Sequence, residues 1–216
     1  MKILDHAVIA TDSDKVAEVC KTLGAPVEMT SPEHPSGTDR IAEVARRPNF
    51  QDYKVIVNIQ GDEPLLNEIH LESAISLVRD ESWEIGTCAT PILDNDNRKN
   101  PSTVKVVRAA GGKALYFSRA YIPYMHDAKP GPEDLGREPF LRHIGIYAYS
   151  RDALERWVAM APSTLEQLEQ LEQLRPLEAG LRIGVAVVGE ADPGVDTPAD
   201  VVRIEEKLSK IESLDL

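Results

Sequence analysis

The chain has 216 residues, enough for one well-buried α/β domain or one domain with a small insertion, and too few for two full-sized enzymatic domains. With 36 acidic against 24 basic residues its formal net charge is -12, which repels a polyphosphate backbone and excludes nucleic acid as an expected partner; a small anionic ligand stays admissible, because a metal ion and a few arginines reverse the field inside one pocket. The longest apolar runs, such as Val185 to Val188, have about four residues against the roughly 20 needed to cross a bilayer, and Met1-Lys2-Ile3-Leu4-Asp5-His6 lacks a signal-peptide pattern, so a cytoplasmic protein with no membrane partner is expected.

Ala7 to Thr11 is a short β-favouring run, after which Val16, Ala17, Val19, Cys20 and Leu23 recur at helical spacing until Gly24. A strand at Val27 to Met29 gives way to a Pro- and Ser-rich loop from Thr30 to Gly37, and Ile41, Ala42, Val44 and Ala45 mark the next amphipathic helix. Val55-Ile56-Val57-Asn58-Ile59 reads as a strand that stops at Gln60-Gly61-Asp62-Glu63-Pro64, followed by a helix through Leu71, Ala74, Ile75 and Val78. Such near-continuous apolar strands suit a sheet covered on both faces. A further strand runs from Ile85 to Thr90, and Val104 to Arg108 with Ala114 to Ser118 flank Gly111-Gly112 as a β-hairpin, which breaks the β-α alternation.

Ala128 to Pro139 has the Pro and Gly content of a surface loop. The run His143 to Tyr149 alternates as a strand, with His143, Tyr147 and Tyr149 on one face and Ile144, Ile146 and Ala148 on the other, so that one face can line a pocket. Leu165 to Leu174 repeats Leu-Glu-Gln and is expected to form one helix, with Ser163 and Glu166 at capping-box spacing and Pro176 at its end. Leucines at that spacing advance about 300° each, so they cannot share one seam. A last strand covers Ile183 to Val188, and Thr197, Pro198 and Asp200 suit the N-cap, first position and first turn of a final helix, leaving Asp196 without a capping duty. Cys20 and Cys88 lie on apolar segments without CxxC spacing and are expected as buried thiols; the five histidines form no HxxxH or HxxH pair, so zinc has no support.

Ligands of open α/β sheets collect beyond the carboxyl ends of strands, where Asp62 and Asp196 both fall. Two carboxylates there repel each other unless a magnesium ion bridges them and a phosphate, which makes both candidate Mg2+ ligands; the alternatives are a turn-former for Asp62 and a helix-capping acid for Asp196.

Gln60-Gly61-Asp62-Glu63-Pro64 and Gly194-Val195-Asp196-Thr197-Pro198-Ala199-Asp200 resemble the two metal-binding signatures of bacterial 3-deoxy-manno-octulosonate (Kdo) cytidylyltransferases. Ser36-Gly37-Thr38-Asp39-Arg40, Tyr116-Phe117-Ser118-Arg119-Ala120 with Ile122-Pro123, Phe140-Leu141-Arg142-His143-Ile144-Gly145-Ile146-Tyr147 and Leu171-Glu172-Gln173-Leu174-Arg175 follow in family order, and the resemblance runs from about residue 5 to the C-terminal helix. It implies one α/β domain over residues 1–216: a three-layer, nucleotide-diphospho-sugar-transferase-like mixed sheet with a hairpin-containing sugar and dimerisation subregion at about 100–150. It further implies that a Kdo hydroxyl attacks the α-phosphate of CTP, giving CMP-Kdo and pyrophosphate for lipopolysaccharide synthesis, in a homodimer.

By the same resemblance Asp62 and Asp196 hold magnesium, and Ser36, Gly37 and Thr38, with Gln60, line the cytidine site as a small loop. Arg119 meets the sugar carboxylate or forms a surface ion pair; His143, Tyr147, Glu172 and Gln173 complete the sugar pocket, with a purely structural role for His143 equally open. Arg142 points away from His143 and stays outside the set.

Members of that family open with a strand and a PARxxSxRxPGKPL loop that grips the triphosphate, and no segment here matches it. The expectation is that Ala7 to Thr11 corresponds to an interior element, that Met1-Lys2-Ile3-Leu4 resembles a family-style first strand, and that activity and folding are reduced. Two other readings stay open: a non-catalytic nucleotide- or sugar-binding relic, and a nucleotide-sugar glycosyltransferase, which shares an acidic metal site at a strand end.

Overall fold

A computed structural model of the chain describes residues 3–212 except 66, 127–129, 132, 137, 193 and 196. Its elements, in order, are β1 (Ile9–Thr11), α1 (Asp14–Thr22), β2 (Val27–Met29), α2 (Gly37–Ala45), β3 (Val55–Ile59), α3 (Glu68–Arg79), β4 (Ile85–Pro91) and α4 (Asn95–Lys99). The hairpin β5 (Lys105–Arg108) and β6 (Ala114–Ser118) follows, then β7 (Leu141–Ser150), α5 (Arg151–Ala159), α6 (Thr164–Glu169), α7 (Leu174–Glu178), β8 (Ile183–Val187) and α8 (Pro198–Glu212).

Side-chain caps set most helix starts: Ser13, Ser36, Asn67, Asp94, Ser150 and Ser163 each accept a bond from a first-turn amide that would otherwise lack a partner. The capping box at Ser163 and Glu166 is present as expected, as is the start of α8, where Thr197 and Asp200 bond reciprocally. α4 was not foreseen, because it is five residues long and polar, with no apolar period to announce it.

The main sheet is mixed and has six strands, in the order β6-β5-β7-β4-β8 with β3 also on β7. The ten-residue β7 is its axis: β4 pairs antiparallel along one edge, while β5 takes Leu141 and Arg142 and β3 takes Ile146 to Ser150 on the other. Its alternating pattern divides two cores. Tyr147 and Tyr149 pack with Trp157 and Leu154 of α5, Ala42 and Ala45 of α2 and Leu174 of α7. Ile144, Ile146 and Ala148 face Leu71, Ala74, Ile75 and Val78 of α3, with Cys88 of β4. Three layers result, helices on each side of a sheet. The thiols of Cys20 and Cys88 are buried and unpaired, and burial pushes Cys88 up to about 12.

β1 pairs in parallel with β2 as a separate two-stranded sheet, and α2 packs against both β1 and β3. Two expectations give way. Ile3 and Leu4 form no strand, and rest instead against the core beneath α3. The Leu-Glu-Gln repeat is not one helix either, since Gln170 takes a left-handed conformation (φ 53°) that ends α6, and Pro176 lies inside α7 instead of stopping it. A continuous helix would have pointed leucines to opposite sides, whereas the break lets Leu171 and Leu174 both enter the core.

Candidate active site

Of the residues singled out by motif, Gln60 and Asp62 follow β3, Ser36 to Thr38 start α2, His143 and Tyr147 lie on β7, Arg119 follows β6, and Glu172 and Gln173 precede α7. Gln60, immediately after β3, lies across two glycines: a methyl at Gly37 would be 3.4 Å from its Oε1 and one at Gly145 3.4 Å from its Cγ. Larger side chains at either position would displace it. Beside it, the main-chain N–H of Val195 donates to Asp62 O at 2.9 Å, and Gly194 packs so closely that an added Cβ would lie 3.1 Å from the same oxygen. The two acidic motifs are thus joined through their backbones, with the Asp62 side chain exposed. Asp196, the next residue after Val195, lies outside the described residues. Among the described residues no group of three or more His, Cys, Asp or Glu side chains gathers as a metal cage.

Arg142, which motif reasoning left out, belongs to this end of the molecule. Its Nη2 donates to Ala191 O at 2.7 Å, tying β7 to the segment that precedes Gly194. Burial lowers its pKa, and the neighbouring carboxylates of Glu63 and Asp192 oppose that shift.

Ser36, Gly37 and Thr38 are the cap and first turn of α2, not a loop. Ser36 Oγ accepts from Asp39 N at 3.3 Å and donates to Asp39 Oδ2 at 2.7 Å, which is why the helix starts there. Thr38 is fully buried, its hydroxyl 3.5 Å from Tyr149 Oη. Glu172 approaches the same helix start: burial raises its carboxyl pKa while the Ser36 and Thr38 hydroxyls pull it back down, and its Oε2 is buried without a hydrogen-bond partner among the described residues. The helix N-terminus supplies partial positive charge toward that carboxylate. Asn58 on β3, cross-strand from Tyr147, is buried with its Nδ2 unpartnered among the described residues. The sequence signal for Asn58 was available, as the one polar residue in an apolar strand.

His143 and Tyr147 share a face, as the alternation required. The ring of His143 sits between Phe117 and Tyr147, at centroid distances of 5.1 and 5.3 Å, and burial lowers its pKa to about 3, so it is neutral. Its Nε2 is 2.9 Å from Thr87 Oγ1, and that hydroxyl donates its proton to Ile146 O at 2.7 Å. The network therefore assigns the ring proton to Nε2 and leaves Nδ1 as an acceptor. Tyr147 is buried, stacked on Tyr149 at 5.9 Å and edge-on to Trp157 at 6.0 Å. Gln173, also buried, stands at the N-cap of α7.

Arg119 is no surface ion pair. Its Nε, Nη1 and Nη2 donate to Glu169 O, Pro101 O and Gln170 O at 2.8, 3.1 and 3.3 Å, engaging three of the guanidinium's five N–H groups with main-chain carbonyls. Motif reading also passed over two Asp-x-Asp triplets, Asp12-Ser13-Asp14 and Asp94-Asn95-Asp96, of the kind that holds a metal in glycosyltransferases. Both stand at helix starts, with Ser13 and Asp94 as caps and Asp12 bonded to Arg40 at 3.0 Å.

A mixed sheet between helical layers, with acidic and glycine-bearing turns meeting at its strand ends, defines a nucleotidyltransferase of the cytidylyltransferase class, and the cytidylyltransferase family pattern matches residues 1–183. Two relatives, the 3-deoxy-manno-octulosonate cytidylyltransferases of Gemmatimonas aurantiaca and Chromohalobacter salexigens, are 47% and 46% identical, over 93% and 95% of this chain and 77% and 81% of their own. A solved CMP:2-keto-3-deoxy-manno-octonic acid synthetase complexed with CTP superposes with a TM-score of 0.83 at 36% identity, over 99% of this chain and 83% of that one. The chain belongs to the 3-deoxy-manno-octulosonate cytidylyltransferase family. The inositol-1-phosphate CTP transferase of T. maritima, 16% identical with a TM-score of 0.59 over 95% of this chain and 75% of that one, shares the fold alone.

Proposed function

We propose that the protein transfers CMP from CTP to Kdo, releasing pyrophosphate. The observation that carries this reading is the contact between the two acidic motifs, Val195 N on Asp62 O, at the strand ends of a fold shared with a CTP-bound relative. In the reaction the anomeric hydroxyl of Kdo loses its proton, its oxygen forms a bond to the α-phosphorus, and the α–β anhydride bond breaks with pyrophosphate leaving. Such chemistry rests on positioning and charge neutralisation, and needs no protein nucleophile.

Gln60, wedged between Gly37 and Gly145, together with Ser36 at the start of α2, bounds the cytidine; Thr38 acts from beneath, through Tyr149 and Glu172. Neutral His143 accepts a hydrogen bond from a sugar hydroxyl at Nδ1, and Tyr147, Glu172, Gln173 and Arg119 frame the Kdo. The exposed carboxylate of Asp62 and that of Asp196, one residue beyond Val195, suit a hard oxygen-binding cation, and these two would hold magnesium, which supplies neutralisation of phosphate charge when bound. We further propose a cytoplasmic homodimer joined through the exposed Tyr121 and Tyr124.

The test is pyrophosphate release from CTP, Kdo and magnesium by this chain, by the chain extended with a family-type N-terminal segment, and by Asp62→Asn of each. We expect release in at least the extended form and a loss of about 100-fold or more in Asp62→Asn, with the melting temperature unchanged because the side chain is exposed. Release by the 216-residue chain itself also disposes of the relic reading. Two folded forms that release nothing overturn the assignment.

A further inference from the structure

Glu169 carries no motif role, yet Tyr116, Ser118 and Arg119 all converge on it. Its carboxylate accepts from Ser118 Oγ at 2.6 Å and from Arg119 N at 2.9 Å through different oxygens, with Tyr116 Oη at 3.4 Å. Its carbonyl and that of Gln170 accept from the Arg119 guanidinium. The far end of Arg119 is fixed in turn: its own carbonyl accepts from Lys105 Nζ at 2.6 Å, and that fully buried ammonium also holds Asn100 O and Thr103 O, at 2.9 and 2.5 Å.

This knot sits where the Leu-Glu-Gln repeat breaks. A helix leaves its last carbonyls without partners, and an arginine reaching in from another element satisfies them as a C-cap. Arg119 does this for α6, Gln170 turns left-handed, and the chain re-enters as α7. Three residues beyond Glu169, Glu172 then stands against Ser36 and Thr38, and Gln173 is buried beside it. In an unbroken helix Glu172 would follow Glu169 by about 300°, a sixth of a turn away, and would face the hairpin as Glu169 does.

We propose that Glu169 is a positioning residue of the Kdo site: pinned to Ser118 and Arg119 of the hairpin strand, it breaks the Leu-Glu-Gln helix at Gln170 and so turns Glu172 and Gln173 into the pocket. Arg119 is the other half of the same clamp, and Lys105 fixes it from behind. The proposal deepens the sugar site described above and rests on that reading for its ligand, but not for its geometry.

The experiment compares the wild-type chain with Glu169→Ala and Glu169→Gln. Calorimetric titrations with Kdo and with CTP are run separately, and amide hydrogen exchange is followed at Leu171, whose N–H bonds to Glu166 O across the break, and at Leu174, whose N–H bonds to Leu171 O just beyond it. Expected are a loss of Kdo affinity of about tenfold or more in Glu169→Ala with a clearly smaller loss of CTP affinity, since Glu172 also supports Ser36 and Thr38, and exchange at Leu171 and Leu174 about tenfold faster. Glu169→Gln, which keeps one acceptor for Ser118 or Arg119, falls between. Unchanged exchange in Glu169→Ala overturns the proposal whatever the ligand data, and so does a parallel loss of Kdo and CTP affinity. Wild-type chain that ignores Kdo defeats the sugar-site reading instead, and the exchange data still decide whether Glu169 sets the turn.

Discussion

His143 illustrates how a residue type can be read from sequence while its charge state cannot. Histidine titrates near neutrality in water, but here the desolvated ring is held neutral down to a pKa of about 3, first by burial and then by the nearby Arg142 guanidinium. The unfolded chain binds a proton near pH 6.5 and the folded one only near 3, so stability is lost as pH falls through that window, and none is lost on this account above it. We therefore predict that the His143 ring resonances do not titrate between pH 5 and 8, and that wild type loses stability relative to His143→Gln when urea unfolding is repeated at pH 4.5 instead of 7. A ring that titrates near 6.5 contradicts the packed, singly protonated form described above. Glu172 moves the other way: burial raises its carboxyl, and the Ser36 and Thr38 hydroxyls and the Arg175 guanidinium restrain the shift. Neither environment is visible in the local sequence, because Thr87, Phe117, Ser36 and Thr38 arrive from distant segments.

Elements with a clear apolar period were legible: α1, α3, β4, β7 and the hairpin fall where their spacing put them. What failed was the Leu-Glu-Gln stretch, whose local propensity favours one helix and whose break at Gln170 comes from Arg119, about fifty positions away. Close approach of elements was equally hidden. α3 crosses β4 at Gly86, where a methyl would lie 2.3 Å from Ala74 O and 3.0 Å from Leu77 Cβ. Backbone cannot yield there as a flexible side chain does, so Gly86→Ala should cost about 3 kcal/mol by forcing the helix off the sheet, read as a lowered urea midpoint with an unchanged m-value. Gly61, with no atom near its virtual methyl, is the matched control and should accept alanine with little loss.

Over the whole molecule the sheet is divided. Among the described residues β1 and β2 pair with each other, β3 is held by β7, and α2 touches both β1 and β3. The charge of -12 and the acidic exterior do not gather into a metal cage among the described residues. On the hairpin side, the rings of Tyr121 and Tyr124 lie 6.2 Å apart and tilted at 40°, and Tyr124 is 70% exposed, with Leu93 and Leu115 also exposed. Aromatic surface of this kind is what a second copy would cover. Sedimentation at micromolar concentration should give a dimer, and Tyr121→Ser with Tyr124→Ser should shift it toward monomer; a wild-type monomer there counts against the homodimer.

By itself the sequence determined the α/β class, the order of most elements, the starts of α6 and α8 and the two acidic motifs, because these depend on period, on capping chemistry and on residues close in the chain. Only the tertiary structure decided that Arg119 caps α6, that Arg142 ties β7 to the segment before Gly194, that Asn58 is buried, and that β1 lies outside the main sheet. Each of those outcomes turns on contacts between segments far apart in sequence, where satisfying buried carbonyls and filling a core outweigh local preference.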